Sequence, residues 1–395
     1  MVGRVSSGTT FGLTPDQVAY AVWVRERATG ALAGIPPVPG AINRRLVKAL
    51  GDVGLLRGLF GGGPGDPVRD AAAMQLCLLR ETIATIDTEA ETALALQGLG
   101  SYPILQSGND DTRERWLPGV VSGDVVAAFA LSEPDAGSDA AALSLEARPD
   151  GDGWTLHGQK TWISHAPGAD VYSVFARTTP GARARGVTAF AVAGDSPGLT
   201  GQPLDMLSPH ALGTLTFDGV RVARDDVLGE VDQGFAVAMR TLDLFRPSVG
   251  AFAVGMAQAA LDASVAWSRE RELFGGRLAD LQATQHTLAE MATRIEAGRL
   301  LVRAAAASYD ANGLDPARPA GTTDVTTSAA MAKLFATEMA QWVVDQAVQL
   351  HGARGLQRGH LLERLYREVR APRIYEGASE VQRTIIARGL MKGTQ

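Results

Sequence analysis

The stretch GWTLHGQKTWIS, residues 153–164, has a hydrophobic period close to two. That period is typical of a β-strand that buries one face. Four further short runs, rich in β-branched and aromatic residues, occur between about residues 126 and 232, and turn residues separate them. The sequence therefore predicts a small antiparallel β domain, either a barrel or a sheet, in the middle of the chain.

The residues on both sides of this region show the helical period instead. LTPDQVAYAVWVRERATGAL, residues 13–32, opens with a Thr-Pro-Asp helix-start signal, and residues from about 235 to 390 contain roughly four long helical segments. Helices segregated from strands indicate an α+β fold. We expect an N-terminal all-α domain at residues 1–125, the β domain at residues 126–232 and a helical bundle at residues 233–395.

The composition excludes several classes of protein. Of 395 residues, 46% are hydrophobic, and the formal net charge of −6 argues against non-specific nucleic-acid binding. The single cysteine, Cys77, excludes an internal disulfide framework and fits a reducing compartment, so we expect a cytoplasmic location and a buried structural thiol. We expect no signal peptide, no membrane span and no metal site, because the sequence has neither the apolar runs nor the Cys/His spacing that these need.

The segment AFALSEPDAGSDAAAL, residues 128–143, carries the first chemical signal. Ser132 ends a strand, a turn follows, and a run of small residues then exposes its backbone N–H groups. Such a loop can cradle an anion through its amides and a hydroxyl. The same pattern also suits an ordinary turn between two strands, so the segment alone does not decide between them.

The end of the strand at residues 153–164 carries the second signal. Trp162 and Ser164 are two residues apart, and residues at that spacing lie on the same face of a strand. A flat ring and a hydroxyl on one face suit the face and edge of a planar heterocycle. Taken alone, the pattern is more typical of a core tryptophan beside a solvent-exposed serine.

A third signal is RIYEGASEVQR, residues 373–383, where Glu376 follows an apolar-aromatic pair and precedes Gly377. A carboxylate beside apolar groups loses hydration, which raises its pKa and suits it to take a proton near neutral pH. Taken alone, the triplet Tyr-Glu-Gly is more typical of a solvated loop residue beside a turn glycine.

Together these segments make the sequence resemble the acyl-CoA dehydrogenase flavoprotein family over nearly its whole length. The motifs that carry the resemblance are ALSEPDAGSD, KTWIS, SRERELFGG followed by LQATQHTLAEMA, QLHGARG, ERLYREVR and RIYEGASEVQR. They occur in the order and approximate spacing of the family. The resemblance implies an N-terminal helical domain, a middle β domain and a C-terminal four-helix bundle, with FAD between the last two.

The resemblance also assigns residues to the cofactor and the substrate. Ser132 takes the place of a family threonine that bonds the flavin edge, and Arg271 matches a residue that reaches the FAD pyrophosphate of a neighbouring subunit. The implied cofactor-binding residues are Phe129, Leu131, Ser132, Gly137, Ser138, Trp162, Ile163, Ser164, Arg271, Phe274, Gln282, Gln349, Gly352, Ala353, Ala378 and Glu380. The implied substrate-binding residues are Ser138, Asp243, Arg246, Tyr375 and Gly377. Arg246 equally fits the role of a structural ion-pair partner.

By resemblance, Glu376 is the catalytic base that removes the α-proton of an acyl thioester while the β-hydride passes to FAD, which gives a trans-2-enoyl thioester. Hydrogen bonds from the backbone N–H of the base and from a ribityl hydroxyl would stabilise the developing enolate. Some family members carry the base on an earlier helix, where this chain has Phe245, which cannot accept a proton. The implied partners are an acyl-CoA, an electron-transferring flavoprotein and further copies of the chain, as a dimer or tetramer.

The sequence departs from the family pattern in several places. Ala378 replaces a usual threonine, the usual Gly-Gly-x-Gly reads Gly352-Ala353-Arg354-Gly355, His165 replaces a common asparagine, and DMLSPHALGTLTF lacks the common Gly-x-Arg-x-Ser. These changes leave open whether the acyl group is carried as a thioester of CoA or of an acyl-carrier protein. An oxidase or oxygenase that uses O₂, and a binding protein without turnover, remain alternatives. Some medium-chain family members have a bulky polar residue at the position of Ala95, where it closes the acyl pocket. The small Ala95 permits a pocket that is deeper or differently shaped.

Overall fold

The computed structural model describes residues 12–60, 72–312 and 323–392. The N-terminal part of the chain is helical, as predicted. Thr14 caps the first helix, because its Oγ1 accepts from the Gln17 N–H over 3.3 Å and its own N–H donates to Gln17 Oε1 over 3.0 Å. The helices described here are α1 (Pro15–Leu32), α2 (Arg44–Asp52), α3 (Ala73–Ala84), α4 (Thr88–Ser107) and α5 (Asp110–Ser122).

A seven-stranded sheet forms the middle of the chain. Its strands are β1 (Ala127–Ala130), β2 (Glu146–Asp150), β3 (Gly153–Ser164), β4 (Val171–Arg177), β5 (Val187–Ala193), β6 (Leu199–Pro203) and β7 (Leu212–Val222). The strands pair in the order β1-β4-β2-β3-β7-β6, and β5 pairs with the other side of β4. The sheet is mainly antiparallel, as predicted, but β1 runs parallel to β4, and β2 pairs with β4 in parallel at one position.

The C-terminal part is a helical bundle. Its elements are α6 (Gly234–Glu270), a small hairpin of β8 (Glu272–Leu273) and β9 (Gly276–Arg277), α7 (Gln282–Asn312), α8 (Thr323–His351), α9 (Leu361–Glu368) and α10 (Ser379–Lys392). Helices α6, α7 and α8 pack against one another, α10 packs on α8, and α3 of the N-terminal part packs on α6. The α+β arrangement expected from the sequence is therefore confirmed.

Helix α6 is the one helix in the described ranges that is long and apolar enough to cross a membrane. However, 72% of its most apolar window is buried inside the protein. That burial is typical of the core helix of a bundle. Cys77 on α3 is likewise buried, as expected, and burial raises the pKa of its thiol.

The contact between α4 and β1 fixes the N-terminal part on the sheet. A Cβ at Gly100 would lie 2.5 Å from the Ala128 backbone nitrogen, so only glycine permits this approach. Gln97 Oε1 accepts from the Ala127 N–H over 2.8 Å, and Ser173 Oγ donates to the Gly100 carbonyl over 2.7 Å. The loop that follows β1 is thereby held at a defined position between the helices and the sheet.

A buried ion pair then fixes the conformation of that loop. Glu133 accepts from Lys160 Nζ over 2.8 Å, from Leu145 N–H over 2.9 Å, and from Ser144 N–H over 2.6 Å. Lys160 Nζ also donates to the Leu131 carbonyl over 2.9 Å. Burial lowers the pKa of Lys160 to about 8, and hydrogen bonds hold the Glu133 carboxylate in its charged form.

We expect Lys160→Met to lower the free energy of unfolding by about 3–5 kcal/mol, because it leaves Glu133 as a buried, unpaired charge. Urea unfolding followed by circular dichroism measures the loss. Lys48→Met is the control, since the Lys48 ammonium lies at the surface. The double variant Glu133→Leu with Lys160→Met should be less destabilised than Lys160→Met alone. A loss no greater than that of the control would contradict the structural role given to the pair.

Candidate active site

The loop after β1 presents a mixture of buried and accessible groups. Phe129 packs on Phe175 with a ring-centroid distance of 4.9 Å, and Leu131 is buried. Ser132 is half-buried, and its carbonyl accepts from the Thr161 N–H over 3.0 Å. Gly137 and Ser138 are exposed further along the loop. The bond between Thr161 and Ser132 therefore joins this loop directly to the end of β3. The two segments that carry the first and second chemical signals thus lie side by side.

Trp162 lies outside the core. The β3–β7 pairing shifts register between Lys160 and Ile163, and Trp162 in this bulge has a φ of 59°, which is left-handed. Its indole is 55% exposed while Ile163 is buried and Ser164 is half-buried. The alternative of a core tryptophan is excluded. An exposed ring held in a strained backbone position is available to stack on a flat ligand.

His165, next in the chain, is a buried structural residue. Its Nδ1 lies 3.0 Å from the Ala127 carbonyl, to which it donates. Burial lowers the pKa of this imidazole to about 4, so it is neutral at physiological pH. The histidine therefore fastens the end of β3 to β1 and contributes no charge to the site.

Glu376 lies in the segment between α9 and α10, with a left-handed φ of 52°. Its backbone carbonyl accepts from Arg246 Nε over 3.3 Å and from Gln382 Nε2 over 3.4 Å. The carbonyl of Gly377 accepts from Lys333 Nζ over 2.6 Å and from Gln382 Nε2 over 2.8 Å. Side chains from α6, α8 and α10 thus hold the backbone of this turn in place.

One oxygen of the Glu376 carboxylate is left without a partner among the described residues. Although the residue keeps some accessible surface, its Oε2 is buried and has no hydrogen-bond partner in the described part of the chain. The Glu376 N–H likewise donates to no acceptor among the described residues. A buried polar atom without a partner is costly in a folded protein. A free acceptor and a free donor on one residue are therefore the strongest indication of a ligand site in the structure.

Burial raises the pKa of Glu376, and three cations from three helices oppose that rise: Arg80 on α3, Lys333 on α8 and Arg246 on α6. Burial lowers the pKa of Lys333 to about 8 and that of Arg246 as well. The carboxylate is thus kept more basic than an ordinary glutamate but still able to ionise. That is the state a general base needs.

Arg246 is an ion-pair partner, one of the two roles that its sequence position left open, and it also holds the Glu376 turn. Its Nη1 lies 3.3 Å from Asp243 Oδ1, which makes it an ion-pair partner, while its Nε bonds the Glu376 carbonyl. Asp243 Oδ2 also accepts from Thr326 Oγ1 over 3.1 Å. Phe245 is buried and meets Tyr102 edge-on at 6.1 Å. Tyr375 is half-buried beside Glu376, and burial raises the pKa of its phenol.

A second group of predicted residues lies on the surface at one end of the bundle. Phe274, on the β8–β9 turn, is 93% exposed. No hydrogen bond or ion pair joins this group to the Glu376 turn among the described residues. The group consists of Arg271, Phe274, Gln282, Gln349, Gly352 and Ala353, all of them exposed. Ala378 and Glu380, by contrast, flank the start of α10 next to Glu376.

The surface group is centred on a tryptophan that the sequence reasoning missed. Trp267 stacks on His351 with a centroid distance of 5.4 Å, and the guanidinium groups of Arg354 and Arg271 lie 5.0 and 5.8 Å from its ring. Arg80, Lys333 and Gln382 were also missed. Charged residues within apolar helical runs were the available signal, but they do not reveal which distant segment they meet.

Comparison with known proteins identifies the family. Models of the acyl-CoA dehydrogenase N-terminal, middle and C-terminal domains match residues 15–124, 128–220 and 232–391. The chain belongs to the acyl-CoA dehydrogenase family. It is therefore an oxidoreductase that acts on CH–CH groups with FAD as its cofactor, as the sequence motifs implied.

Individual relatives cover most of the chain. Cyclohexane-1-carbonyl-CoA dehydrogenase of Geobacter metallireducens is 35% identical over 93% of this chain and 94% of its own. Mitochondrial short-chain specific acyl-CoA dehydrogenase of Bos taurus is 42% identical over 73% and 69%. The structure of butyryl-CoA dehydrogenase from Megasphaera elsdenii superposes with a TM-score of 0.86 at 32% identity, covering 96% of this chain and 99% of that one.

The electrostatics of Glu376 predict the pH dependence of this enzyme. A base works when deprotonated, so the rate of flavin reduction should rise with pH through a midpoint above the ordinary glutamate pKa of about 4.3. Lys333→Met removes one cation and should move that midpoint to higher pH by about one unit. Stopped-flow flavin absorbance between about pH 5 and pH 9 measures it, with Lys48→Met as control. A midpoint unchanged in Lys333→Met would show that Lys333 does not act on the base.

Proposed function

We propose that this chain catalyses the α,β-dehydrogenation of an acyl-CoA thioester, with Glu376 as the base. The observation that carries this proposal is the unpartnered Oε2 of Glu376, in a turn whose backbone is held by Arg246, Lys333 and Gln382 and whose carboxylate feels three cations. General acyl-CoA dehydrogenation follows from family membership. The assignment of the proton transfer to Glu376 is the proposal.

The mechanism follows from what surrounds the base. The Glu376 carboxylate accepts the α-proton, and the electrons of that C–H bond move toward the thioester carbonyl. The Glu376 N–H, free in the described structure, donates to the thioester oxygen and stabilises the developing negative charge. Bound FAD would supply the acceptor for the β-hydride.

The residues present fit FAD. Trp162 is exposed at the edge of the β domain, Ser132 is accessible beside it, and Gly137 and Ser138 leave backbone groups open to a ligand. Arg271 and Phe274 are exposed at the end of the bundle where Trp267 lies, and the Arg271 guanidinium stands 5.8 Å from the Trp267 ring. We propose that they complete the cofactor site of a second copy, because a guanidinium suits a pyrophosphate and the exposed ring suits a cofactor surface. The functional unit is then at least a dimer.

The finer partners are also proposals. An electron-transferring flavoprotein is the proposed acceptor, and the proposed location is cytoplasmic. An acyl-carrier protein in place of CoA, and O₂ in place of a protein acceptor, are the alternatives. Stoichiometric release of hydrogen peroxide during turnover would favour the oxidase alternative.

Glu376→Gln tests the base. Gln keeps the size of the side chain but cannot take a proton, so we expect FAD to stay bound while anaerobic bleaching of the flavin by acyl-CoA slows by at least about 10³-fold. A panel of acyl-CoAs of different length and branching is titrated against each protein. Glu290→Gln is the matched control, because Glu290 is exposed on α7 and pairs with Arg294. An unchanged rate in Glu376→Gln would disprove the assignment.

Arg271→Ala tests the shared cofactor site. We expect the purified variant to hold several-fold less FAD per chain, since it loses a charge-assisted contact to phosphate. Flavin absorbance relative to protein concentration measures this, and sedimentation gives the oligomeric state. Arg269→Ala, which changes an exposed arginine of the same helix end, should retain FAD. Full FAD content in Arg271→Ala, or a flavin-loaded monomer, would contradict the shared site.

A further inference from the structure

One carboxylate on α8 binds both ends of the turn that carries Glu376. Arg373 Nη2, three residues before the base, lies 2.7 Å from Glu338 Oε2. Ser379 Oγ, three residues after the base, donates to Glu338 Oε1 over 2.6 Å. The two oxygens of one side chain therefore close residues 373–379 into a loop.

The backbone of this loop is in an unusual conformation. Glu376 and Gly377 have consecutive positive φ values of 52° and 97°. A residue with a side chain rarely adopts a left-handed conformation unless the surrounding structure holds it there. A short 3₁₀ helix, Ala371–Arg373, ends before the base, and α10 begins only at Ser379. Contacts from outside the turn must therefore fix the direction of the base.

Helix α8 contacts the middle of the turn as well as its ends. Lys333 Nζ donates to the Gly377 carbonyl over 2.6 Å, and Glu338 lies five residues further along the same helix. Lys333 is fully buried, and α8 packs against both α6 and α7. Side chains that extend from a helix held by two neighbours have a fixed origin. These contacts therefore position the turn relative to the bundle.

The exposure of the Glu338 contacts argues against a role in folding stability alone. The side chains of Arg373 and Glu338 are 30% and 31% exposed, and ion pairs near the surface contribute little to stability. Burial acts to raise the pKa of Glu338, but hydrogen bonds from Ser379 and Arg373 outweigh it and lower that pKa, so the carboxylate is charged at neutral pH. Among the described residues, the cations that act on the Glu376 carboxylate come from elsewhere. What the Glu338 contacts determine is the position of the turn.

We propose that Glu338 is a positioning residue for the base. By holding Arg373 and Ser379, it fixes the turn so that the Glu376 carboxylate meets the substrate α-proton and the Glu376 N–H meets the thioester oxygen. Reacting groups tolerate little displacement, since an error of about 1 Å can slow a reaction by about 100-fold. This inference rests on the proposed role of Glu376 as the base.

Glu338→Ala removes both contacts and tests the proposal. We expect the rate of flavin reduction at saturating acyl-CoA to fall by about 10- to 100-fold, while the dissociation constant of the ester stays within about threefold of the wild-type value. FAD content should equal that of the wild type, and the midpoint of thermal unfolding should fall by no more than about 4 °C. Asp345→Ala, which changes an exposed carboxylate two turns later on α8, is the control and should match the wild type.

Three further readouts separate positioning from an effect of charge. Glu338→Gln keeps an oxygen for Arg373 and an amide that can donate to Ser379 Oγ, so it should restore the rate to within about fivefold of the wild type. The pH midpoint of flavin reduction should stay nearer to the wild-type value in Glu338→Ala than in Lys333→Met, because Lys333 acts on the base directly. Ser379→Ala should slow the wild type but have no further effect in Glu338→Ala, since both changes break the same contact.

Hydrogen exchange follows the turn without requiring turnover. The Tyr375 N–H donates to the Ala371 carbonyl over 3.2 Å, and the Gln382 N–H donates to the Ala378 carbonyl over 3.0 Å. We expect peptides that contain Tyr375 and Gln382 to exchange several-fold faster in Glu338→Ala than in the wild type or the control, because local opening of the turn becomes easier.

The outcomes separate this inference from the proposed function. If Glu338→Ala keeps the wild-type rate, or slows no more than the control, positioning is disproved while dehydrogenation with Glu376 as the base stands. A pH midpoint that moves as far as in Lys333→Met would show instead that Glu338 acts through its charge. If no ester bleaches the flavin, the proposed function fails, and hydrogen exchange still decides whether Glu338 holds the turn. If Glu338→Ala does not fold, Ser379→Ala decides, and an unchanged rate in that variant would overturn the inference.

Discussion

The buried carboxylate of Glu376 is the constraint on which the arrangement of the chain depends. A carboxylate that is removed from water is stable in its charged form only if opposite charges lie near it. The cations come from separate elements: Arg80 from α3, Arg246 from α6 and Lys333 from α8. Each is itself buried, and Arg80 and Arg246 also pair with Glu91 and Asp243. Cations from the N-terminal helices and from the bundle are thus brought within electrostatic reach of one turn.

Two of the candidate site residues have a strained backbone. Trp162 and Glu376 both have left-handed φ values, at 59° and 52°, which cost about 1–3 kcal/mol each for residues with a side chain. Strand pairing on both sides of the bulge holds Trp162, and hydrogen bonds to the carbonyls of Glu376 and Gly377 hold the turn. Neither conformation persists without these contacts. Hydrogen bonds between paired strands, and hydrogen bonds from side chains that are distant in sequence, thus offset the strain.

Local patterns predicted the large elements well and the connections between them poorly. The helix start at Thr14 and the strand that ends at Ser164 follow from cap chemistry and periodicity. Strands β2 and β6 were missed, because EARPD and LTGQP are mostly exposed and have no apolar alternation. Their position in the sheet is set by pairing with neighbours, which is not a local property.

The residues of the candidate site were likewise predicted where a local motif marks them and missed where no motif does. Glu376 was identified because a motif names it, and the exposure of Trp162 agrees with the role that its motif implies. Arg80 and Lys333 were not identified, since each sits in a helix whose pattern indicates only that it is amphipathic or buried. Arg80 on α3 and Lys333 on α8 matter because they act on the Glu376 turn near the C-terminus. The periodicity of a single sequence does not reveal which distant segments come together in the fold.

The segment DMLSPHALGTLTF, which departs from the family pattern, contains a small hydrogen-bond network of its own. Ser208 Oγ donates to Glu368 Oε2 over 2.5 Å and lies 2.8 Å from His210 Nδ1. Because Ser208 gives its one proton to Glu368, His210 must donate to Ser208, so its Nδ1 carries a proton. Glu368 in turn acts electrostatically on Glu91 and Tyr375. A hydrogen-bonded chain thus connects the loop after β6 to Glu368 at the end of α9.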